Sequence, residues 1–269
     1  MKYFLDTEFL EGTQKKWFGQ TKPTIDLISI GIVCEDGREY YAISKDFNLK
    51  EAWNRYNIKK EWYSIDESTQ STRDIKIYWI RENILKPIFI ELRAKEVEEY
   101  NIAKRINVVL DFPVYHFTYK SIKRLINKYG KSNQQIAEEV YEFCSNDYHK
   151  GNNLTFNQRK EYSLYDKFKP EFYGYYSDHD WVVFCWLFGK MIDLPGFPMH
   201  CIDLKQILDE RAKHWLGNIP QQSCVFCDDF DSKLDSIKSC KDYPKQTNEH
   251  NALADAKWNF ELYKFLNNI

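Results

Sequence analysis

The apolar and polar positions of the first fifty residues follow patterns that are typical of β-strands. Apolar runs at Lys2 to Leu5 and at Ile25 to Val33 each predict a buried strand. An Asp36-Gly37 pair follows the second run, and the alternating aromatic run "REYYAIS" comes directly after it. An Asp-Gly pair between such runs favours a tight β-hairpin. We therefore predict three antiparallel strands here.

From about residue 50 to residue 131 the pattern becomes helical, charged and irregular. This part holds 17 lysines and arginines against 11 acids, whereas the whole chain has a formal net charge of -2. The run "YKSIKRLINKYGK" predicts an amphipathic helix with an apolar stripe of Ile122, Leu125, Ile126 and Tyr129. Its other positions carry five cations and no acid: Lys120, Lys123, Arg124, Lys128 and Lys131. Such a pattern fits a solvated helix face or a surface that contacts phosphates.

Helices and strands alternate in the second half of the chain. A helix is predicted from Asn133 to Cys144, and the polar stretch from Ser145 to Lys169 reads as a loop or insertion. The next segments predict strand, helix, strand and helix in turn: "FYGYYS", "DWVVFCWLFG" closed by Gly189, "MHCIDL" and "LKQILDERAKHWLG". A final helix is predicted over Ala252 to Leu266. Together these patterns predict an α/β fold with a mixed sheet flanked by helices, in a single domain over residues 1–269.

Composition narrows the class of protein. The chain has 269 residues, of which 43% are apolar and 29% charged, as expected of a globular protein in water. Its apolar stretches are too short to cross a bilayer, and no charged-then-apolar leader precedes the first strand, so we expect a cytoplasmic protein and no membrane partner. Seven cysteines, an odd number scattered through apolar runs, argue against a disulfide framework.

Two acids end the first predicted strand. In "MKYFLDTEFLEG", Asp6 and Glu8 are two residues apart, and a strand places such residues on the same face. Two carboxylates held side by side repel each other. A divalent cation would relieve that repulsion, so the pair is a candidate metal site.

A second pair of acids lies at a predicted strand-to-helix junction, in "YYSDHDWVVFCWLFG". Asp178 and Asp180 could both serve as helix-capping residues, since a helix N-terminus favours acids. The helical run begins directly after Asp180, which would hold that carboxylate at the end of the sheet near Asp6. We therefore favour Asp180 as the functional residue of this pair.

A histidine and an acid flank the start of the last predicted helix, in "NEHNALADAKWN". His250 and Asp255 are five residues apart, which on one helix would turn them about 140° from each other. If Asn251 caps the helix, His250 instead lies in the preceding loop, and Asp255 faces inward from the second turn. The pattern then places a loop histidine above a fixed acid; a surface histidine near a helix start would look the same.

Taken together, the motifs resemble a known enzyme family. The DxE of Asp6 and Glu8, the Asp after an aromatic-rich strand and the HxxxxD before the last helix are similar, in this order, to the three motifs of the DEDDh 3'-5' exonucleases, which have a ribonuclease H-like fold. The segments "FLDTEF", "TIDLISIGIV", "DGREYYAIS", "WIRENIL" and "EHNALADAKWN" resemble a small bacterial 3'-5' exoribonuclease group typified by a mycobacterial enzyme. The middle motif departs from the family pattern, because His179 directly precedes Asp180 and no asparagine stands shortly before them.

The resemblance implies a reaction and roles for the residues. Asp6, Glu8, Asp180 and Asp255 would hold two Mg²⁺ or Mn²⁺ ions, since hard cations prefer oxygen ligands. A two-ion site supports in-line hydrolysis of the terminal phosphodiester, which would release nucleoside monophosphates from the 3' end of single-stranded RNA or of a 3' overhang. His250 would accept the proton of the attacking water. Phe9 and Leu10 would wedge or stack against the terminal bases; Phe9 could equally be a core residue.

The resemblance leaves several alternatives open. Single-stranded DNA, as in proofreading or repair, is the alternative substrate, and a catalytically silent nucleic-acid-binding module is the alternative function. Family members are often dimers, so we expect a homodimer. The chain is longer than the family core, and we expect insertions near residues 54–77, 87–131 and 145–169.

A separate pattern suggests a different metal. Cys224-x-x-Cys227, with Cys240 and His214, could bind a structural zinc ion, although one CxxC is also common as a pair of reduced thiols.

Overall fold

The computed structural model describes residues 1–13, 23–64, 70–113, 116–145, 170–215 and 230–268. Its elements, in chain order, are β1 (Lys2–Thr13), β2 (Pro23–Cys34), β3 (Glu39–Ile43), α1 (Leu49–Asn54), β4 (Asn57–Ser64), β5 (Gln70–Ile77), a π-helical turn (Arg81–Leu85), α2 (Lys86–Arg105), α3 (Tyr119–Tyr129), α4 (Asn133–Cys144), β6 (Glu171–Gly174), α5 (Asp178–Leu187), a 3₁₀ turn (Met191–Asp193), β7 (Ile202–Asp203), α6 (Leu204–Lys213), α7 (Phe230–Lys238) and α8 (Ala252–Asn268).

The chain divides into two compact units. The first comprises Met1–Phe9, Leu27–Ala42 and Ser132–Ile269, and the second comprises Leu10–Asp26 and Ile43–Lys131. That the whole chain acts as one exonuclease domain stays a prediction.

A five-stranded mixed sheet with strand order β3-β2-β1-β6-β7 is the centre of the first unit. The Glu35 N–H donates to the carbonyl of Lys2 (2.9 Å), so the end of β2 lies beside the start of β1 and the two strands are antiparallel. A short turn joins β2 to β3, which also makes that pair antiparallel. In contrast, β1 pairs with β6, and β6 with β7, in parallel. The predicted meander and mixed α/β sheet are thus confirmed.

Helices cover both faces of the sheet because its central strand is apolar on both sides. Phe4 stacks on Phe260 of α8, with ring centroids 4.7 Å apart. On the opposite face, Tyr3 packs edge-to-face on Phe143 of α4 (5.9 Å). Alternation along β1 therefore directs even-numbered residues toward α8 and odd-numbered residues toward the other helical layer.

A glycine lets α8 approach the sheet closely. A Cβ atom on Gly31 of β2 would lie 2.2 Å from the carbonyl oxygen of Ala252, the first residue of α8. Only a residue without a side chain fits there. Gly31 thus permits the close approach of the first residues of α8 to β2.

The second unit contains a β-hairpin that the sequence pattern did not predict. Strands β4 and β5 are antiparallel and paired from Asn57↔Ile77 to Ser64↔Gln70, where we expected helical and irregular structure. Residues of both faces are exposed, including Trp62 at 70%. Because neither face is buried, the hairpin lacks the apolar alternation by which a strand is recognised.

The amphipathic helix predicted in "YKSIKRLINKYGK" is confirmed as α3, which ends at Tyr129, two residues before the end of that run. Ile122, Leu125 and Ile126 are buried. Two of its cations form ion pairs with α2: Arg124 with Glu96 (2.6 Å) and Lys128 with Glu99 (3.0 Å). Part of the positive charge of this face is therefore already neutralised inside the unit.

Other differences concern element boundaries in the first unit. Strand β6 ends at Gly174, so the tyrosines that follow it lie in a turn rather than in the predicted strand. Strand β7 has only two residues, and α7 was not predicted.

Some expectations concern residues outside the described ranges. Within those ranges, no helix combines the length and apolar character needed to span a membrane. The described cysteines are all free: Cys34, Cys144, Cys185, Cys201 and Cys240. Cys224, Cys227 and most of the 145–169 insertion lie outside the described residues, so the zinc hypothesis stays untested.

Candidate functional site

An open pocket lies at the end of the sheet where the parallel strands meet the helices. Residues from β1, the β6–α5 turn, α5, the loop before α8 and α8 itself line it: Asp6, Thr7, Glu8, Phe9, Tyr175, Tyr176, His179, Asp180, Gln246, His250 and Asp255. The four predicted acids and the predicted histidine are all among them.

Asp6 and Glu8 lie on one face of β1, as their spacing predicts. This face is the one turned toward α8, which carries Asp255. Asp6, Glu8 and Asp255 each offer an oxygen atom, and these atoms all lie within 4.8 Å of one another. Glu8 and Asp255 are buried and Asp6 is half-buried. Three carboxylates from the two ends of the chain thus form one acidic cluster.

Asp180 reaches the pocket from the opposite face of the sheet. Its Oδ1 accepts hydrogen bonds from the backbone N–H of Thr7 (3.0 Å) and from the Thr7 hydroxyl (2.6 Å). Thr7 lies between the two β1 acids and points toward α5, which explains why Asp180 stands beside the cluster rather than in it. Asp178, in contrast, is exposed and does not line the pocket.

The start of α8 holds the histidine and the last acid in the predicted way. The Asn251 side chain accepts a hydrogen bond from the Ala254 N–H (3.0 Å) and so caps the helix. His250 lies in the loop before it, with a positive φ of 66°. The two oxygens of Asp255 accept hydrogen bonds from the His250 backbone N–H (2.9 Å) and from Gln246 Nε2 (2.6 Å).

A buried asparagine anchors α8 to β1. The Asn259 side chain donates from Nδ2 to the carbonyl of Leu5 (3.0 Å), and Asn259 is 1% exposed. Asp255 lies one helical turn before Asn259, so this bond helps to set the distance between Asp255 and Asp6.

Burial and the repulsion between neighbouring carboxylates raise the pKa values of Asp6 and Glu8. Desolvation by the surrounding protein, followed by the charges of Asp180, Glu8 and Asp255, raises the pKa of Asp6 well above its ordinary value. Desolvation and the charges of Asp255 and Asp180 raise the pKa of Glu8 to about 8. A bound cation would remove this penalty, because it stabilises the charged forms.

Hydrogen bonds moderate the same effect at the other two acids. Desolvation raises the pKa of Asp180 to about 6, against the opposing hydrogen bonds from Thr7. Desolvation also raises the pKa of Asp255, against the hydrogen bonds from Gln246 and the His250 backbone. Hydrogen bonds therefore stabilise the ionised forms of Asp180 and Asp255, and so oppose the effect of burial there.

Aromatic side chains border the acids. Phe9 stacks nearly parallel on His179, with ring centroids 5.8 Å apart and planes 15° apart. Leu10 is buried and is not one of the residues that line the pocket.

Five residues that line the pocket, and the buried Asn259, were not predicted from the sequence as part of the site; the five are Thr7, Tyr175, Tyr176, His179 and Gln246. Thr7, Gln246 and Asn259 act by hydrogen bonds that form only in the folded chain, and Tyr176 lies in a turn that the pattern assigned to a strand. For Tyr176 the sequence offered one signal, which is an aromatic residue shortly before the helix that carries Asp180.

Comparison with known proteins shows a local likeness to nucleases. No family model matches the chain. Two curated proteins, each named 3'-5' exoribonuclease and from two strains of Mycobacterium tuberculosis, are each 48% identical to the chain over 60 residues. The matched stretch is 22% of this chain and 30% of each relative. The chain is thus similar to proteins named 3'-5' exoribonuclease over less than a third of their length.

Proposed function

We propose that this protein is a divalent-metal-dependent 3'-5' exoribonuclease of the DEDDh type with a ribonuclease H-like fold. The observation that carries the proposal is the convergence of Asp6, Glu8 and Asp255 within 4.8 Å, with Asp180 and His250 in the same pocket. The mixed sheet and the local likeness to proteins named 3'-5' exoribonuclease support it.

The donor set fits a hard cation. All three clustered ligands are carboxylates, and Mg²⁺ and Mn²⁺ prefer oxygen donors, whereas zinc commonly takes cysteine or histidine. Desolvation and the charges of the neighbouring acids raise the pKa of Glu8 and Asp6, so a bound cation would stabilise their charged forms. Asp6, Glu8 and Asp255 would hold the metal, with Asp180 completing the set from the α5 side. When bound, a pair of such ions would supply Lewis acidity for phosphodiester hydrolysis.

The protein's own residues would position the water and move its proton. His250 stands in the loop at the pocket edge and would accept a proton from the attacking water through a ring nitrogen. The water oxygen would form a bond to the terminal phosphorus while the bond from phosphorus to the 3' oxygen of the preceding nucleotide breaks. The products are a nucleoside 5'-monophosphate and an RNA chain shorter by one nucleotide.

Phe9 would contact the bases at the 3' end. Its ring lines the pocket next to the acids, and stacking on a base depends little on which base it is. For Leu10 the same role rests on the resemblance alone. A homodimer likewise rests on the resemblance, and light scattering of the purified protein would check it.

A hydrolysis assay tests the proposal. Single-stranded RNA labelled at the 5' end is incubated with the protein and Mn²⁺, and the lengths of the labelled products are followed over time. We expect a ladder that shortens by one nucleotide at a time, and no reaction in chelator. Asp180→Asn should abolish the ladder, whereas the matched control Asp178→Asn should not, because Asp178 is exposed and outside the pocket.

The same assay separates the alternatives. Faster degradation of single-stranded DNA than of RNA would favour the proofreading or repair substrate. RNA that is bound but never shortened, with Mn²⁺ present, would favour a silent binding module. If the protein neither binds nor hydrolyses RNA or DNA, that result contradicts the proposal.

A further inference from the structure

The turn between β6 and α5 carries an exposed aromatic ring into the candidate site. Tyr176 lines the pocket and is 63% exposed. We propose that Tyr176 binds single-stranded RNA by stacking on a nucleobase near the 3' end, as a second aromatic contact besides Phe9. This inference rests on the proposed exoribonuclease function and adds a binding residue to it.

The backbone of Tyr176 is held in an unfavourable conformation. Its φ is +53°, in the left-handed region that aromatic L-residues rarely adopt. His250, which lines the same pocket, has a φ of +66°. Such conformations persist only where surrounding contacts impose them, and they concentrate at functional sites.

Contacts from β7 and α6 impose the conformation. Asp203 Oδ1 accepts a hydrogen bond from the Tyr176 backbone N–H (3.2 Å) and another from the Lys205 N–H at the start of α6 (2.7 Å). The turn is also tight, because a Cβ on Gly174 would lie 2.7 Å from the Cβ of Ser177. Asp203 is therefore a positioning residue that ties the Tyr176 turn to the neighbouring strand.

Side chains also support the ring from the protein side. The Tyr175 ring meets it edge-to-face, with centroids 4.8 Å apart at 71°, and Tyr175 in turn packs edge-to-face on Trp258 of α8 (5.0 Å). Lys205 Nζ lies 5.6 Å from the centroid of the Tyr176 ring. The ring is thus braced from below and still exposes most of its surface.

A braced, exposed ring beside a cluster of carboxylates fits one class of ligand. The acidic cluster suits a phosphodiester only together with cations. The nucleosides that this phosphodiester joins each carry a planar base. Aromatic rings stack on any base, so Tyr176 would add affinity without sequence preference. A ring held in place before binding loses little conformational freedom on contact.

A double-mutant cycle between Tyr176 and the RNA bases tests the stacking contact. The protein and its variants bind a 5'-fluorescein-labelled single-stranded RNA, measured by anisotropy with Ca²⁺ in place of Mn²⁺. The same RNA is then made abasic at each of its last nucleotides, one at a time. Tyr176→Asn removes the ring but tolerates a positive φ, and Tyr176→Phe keeps the ring. Tyr176→Gly replaces the Asn variant if that protein does not fold, and Tyr63→Asn removes an exposed tyrosine outside the pocket as a control.

We expect Tyr176→Asn to weaken binding of the intact RNA about 5- to 150-fold, the range that one base-aromatic stack contributes. Tyr176→Phe and Tyr63→Asn should bind nearly as well as the wild type. On RNA that is abasic at the contacted nucleotide, wild type and Tyr176→Asn should bind equally, because the two changes remove the same contact.

If Tyr176→Asn weakens binding of the intact RNA and of every abasic RNA by the same factor, or does not weaken binding at all, Tyr176 does not stack on a base. Either result would leave the proposed exoribonuclease function intact. Failure of the wild-type protein to bind or degrade RNA would overturn both.

Discussion

Thr7 donates two hydrogen bonds to a single oxygen of Asp180, one from its backbone N–H and one from its hydroxyl. Thr7 separates the two acids of β1, and Asp180 belongs to the first turn of α5. The pair therefore joins the opposite helical layer to the strand that carries Asp6 and Glu8. Both residues are buried, so water does not compete for these bonds.

Replacing Thr7 tests the importance of that link. Thr7→Val keeps the shape of the side chain but removes the hydroxyl donor. On the proposed function, in which Asp180 helps to hold the metal, we expect turnover on RNA to fall about 10- to 100-fold, the usual effect of removing a hydrogen-bond partner of a metal ligand. Thr7→Ser keeps the donor and is the matched control. Equal rates for Val and Ser in the hydrolysis assay would mean that the backbone N–H alone positions Asp180.

His250→Ala tests the proposed proton acceptor. We expect turnover to fall about 10²- to 10⁴-fold, the usual contribution of general base catalysis, while Mn²⁺ binding measured by calorimetry is retained. Metal binding should persist because the His250 contact with Asp255 comes from the backbone N–H. A variant with unaltered turnover would remove His250 from the mechanism.

Gly31→Ala tests the close approach of α8. The added Cβ would lie 2.2 Å from the carbonyl of Ala252, so α8 must shift away from β2, at a cost of about 1–3 kcal/mol or more in the free energy of unfolding. Because His250 and Asp255 flank the start of α8, activity should fall as well.

Gly12→Ala is the control for that substitution. A Cβ there would meet the far ends of two long side chains, Glu51 (nearest oxygen at 3.2 Å) and Arg55 (Nη2 at 3.6 Å), rather than backbone atoms. Chemical denaturation should show little change for Gly12→Ala and a clear loss for Gly31→Ala. Equal stability of the two variants would contradict the constraint on α8.

The acids make the stability of the metal-free protein depend on pH. The pKa of Glu8 is about 8 in the folded protein against an ordinary 4.5, and the pKa of Asp6 is raised in the same sense. Between those values the folded state binds more protons than the unfolded state, so the free energy of unfolding should fall as pH rises from about 4.5 to about 8.

Urea denaturation in chelator at the two ends of this range measures that fall. Glu8→Gln, which cannot ionise, should flatten the dependence, and Mn²⁺ should restore stability most strongly at the upper end. If wild type and Glu8→Gln lose stability equally with pH, Glu8 is not the group responsible.

Local rules predicted much of the first unit and of the site. The two-residue period placed Asp6 and Glu8 on one face, and the capping role of Asn251 placed His250 in a loop and Asp255 in a helix. These features depend on neighbours in sequence. The hydrogen bonds that position the site residues depend on the folded chain instead, because Thr7 and Asn259 bond to partners 173 and 254 residues away in the sequence.

The β4–β5 hairpin shows a different limit. Its residues are exposed on both faces, so no apolar period marks them as strands, and the cross-strand pairing itself defines the structure. Pairing between segments is not visible in either segment alone.

The acidic cluster draws on β1, near the beginning of the chain, and on α8, near its end. During translation, Asp6 and Glu8 therefore leave the ribosome long before Asp255 has been made. A growing chain on the ribosome, surrounded by mRNA and rRNA, would not yet have assembled its acidic cluster. On the proposed function, nuclease activity would begin only once the last helix docks on the sheet.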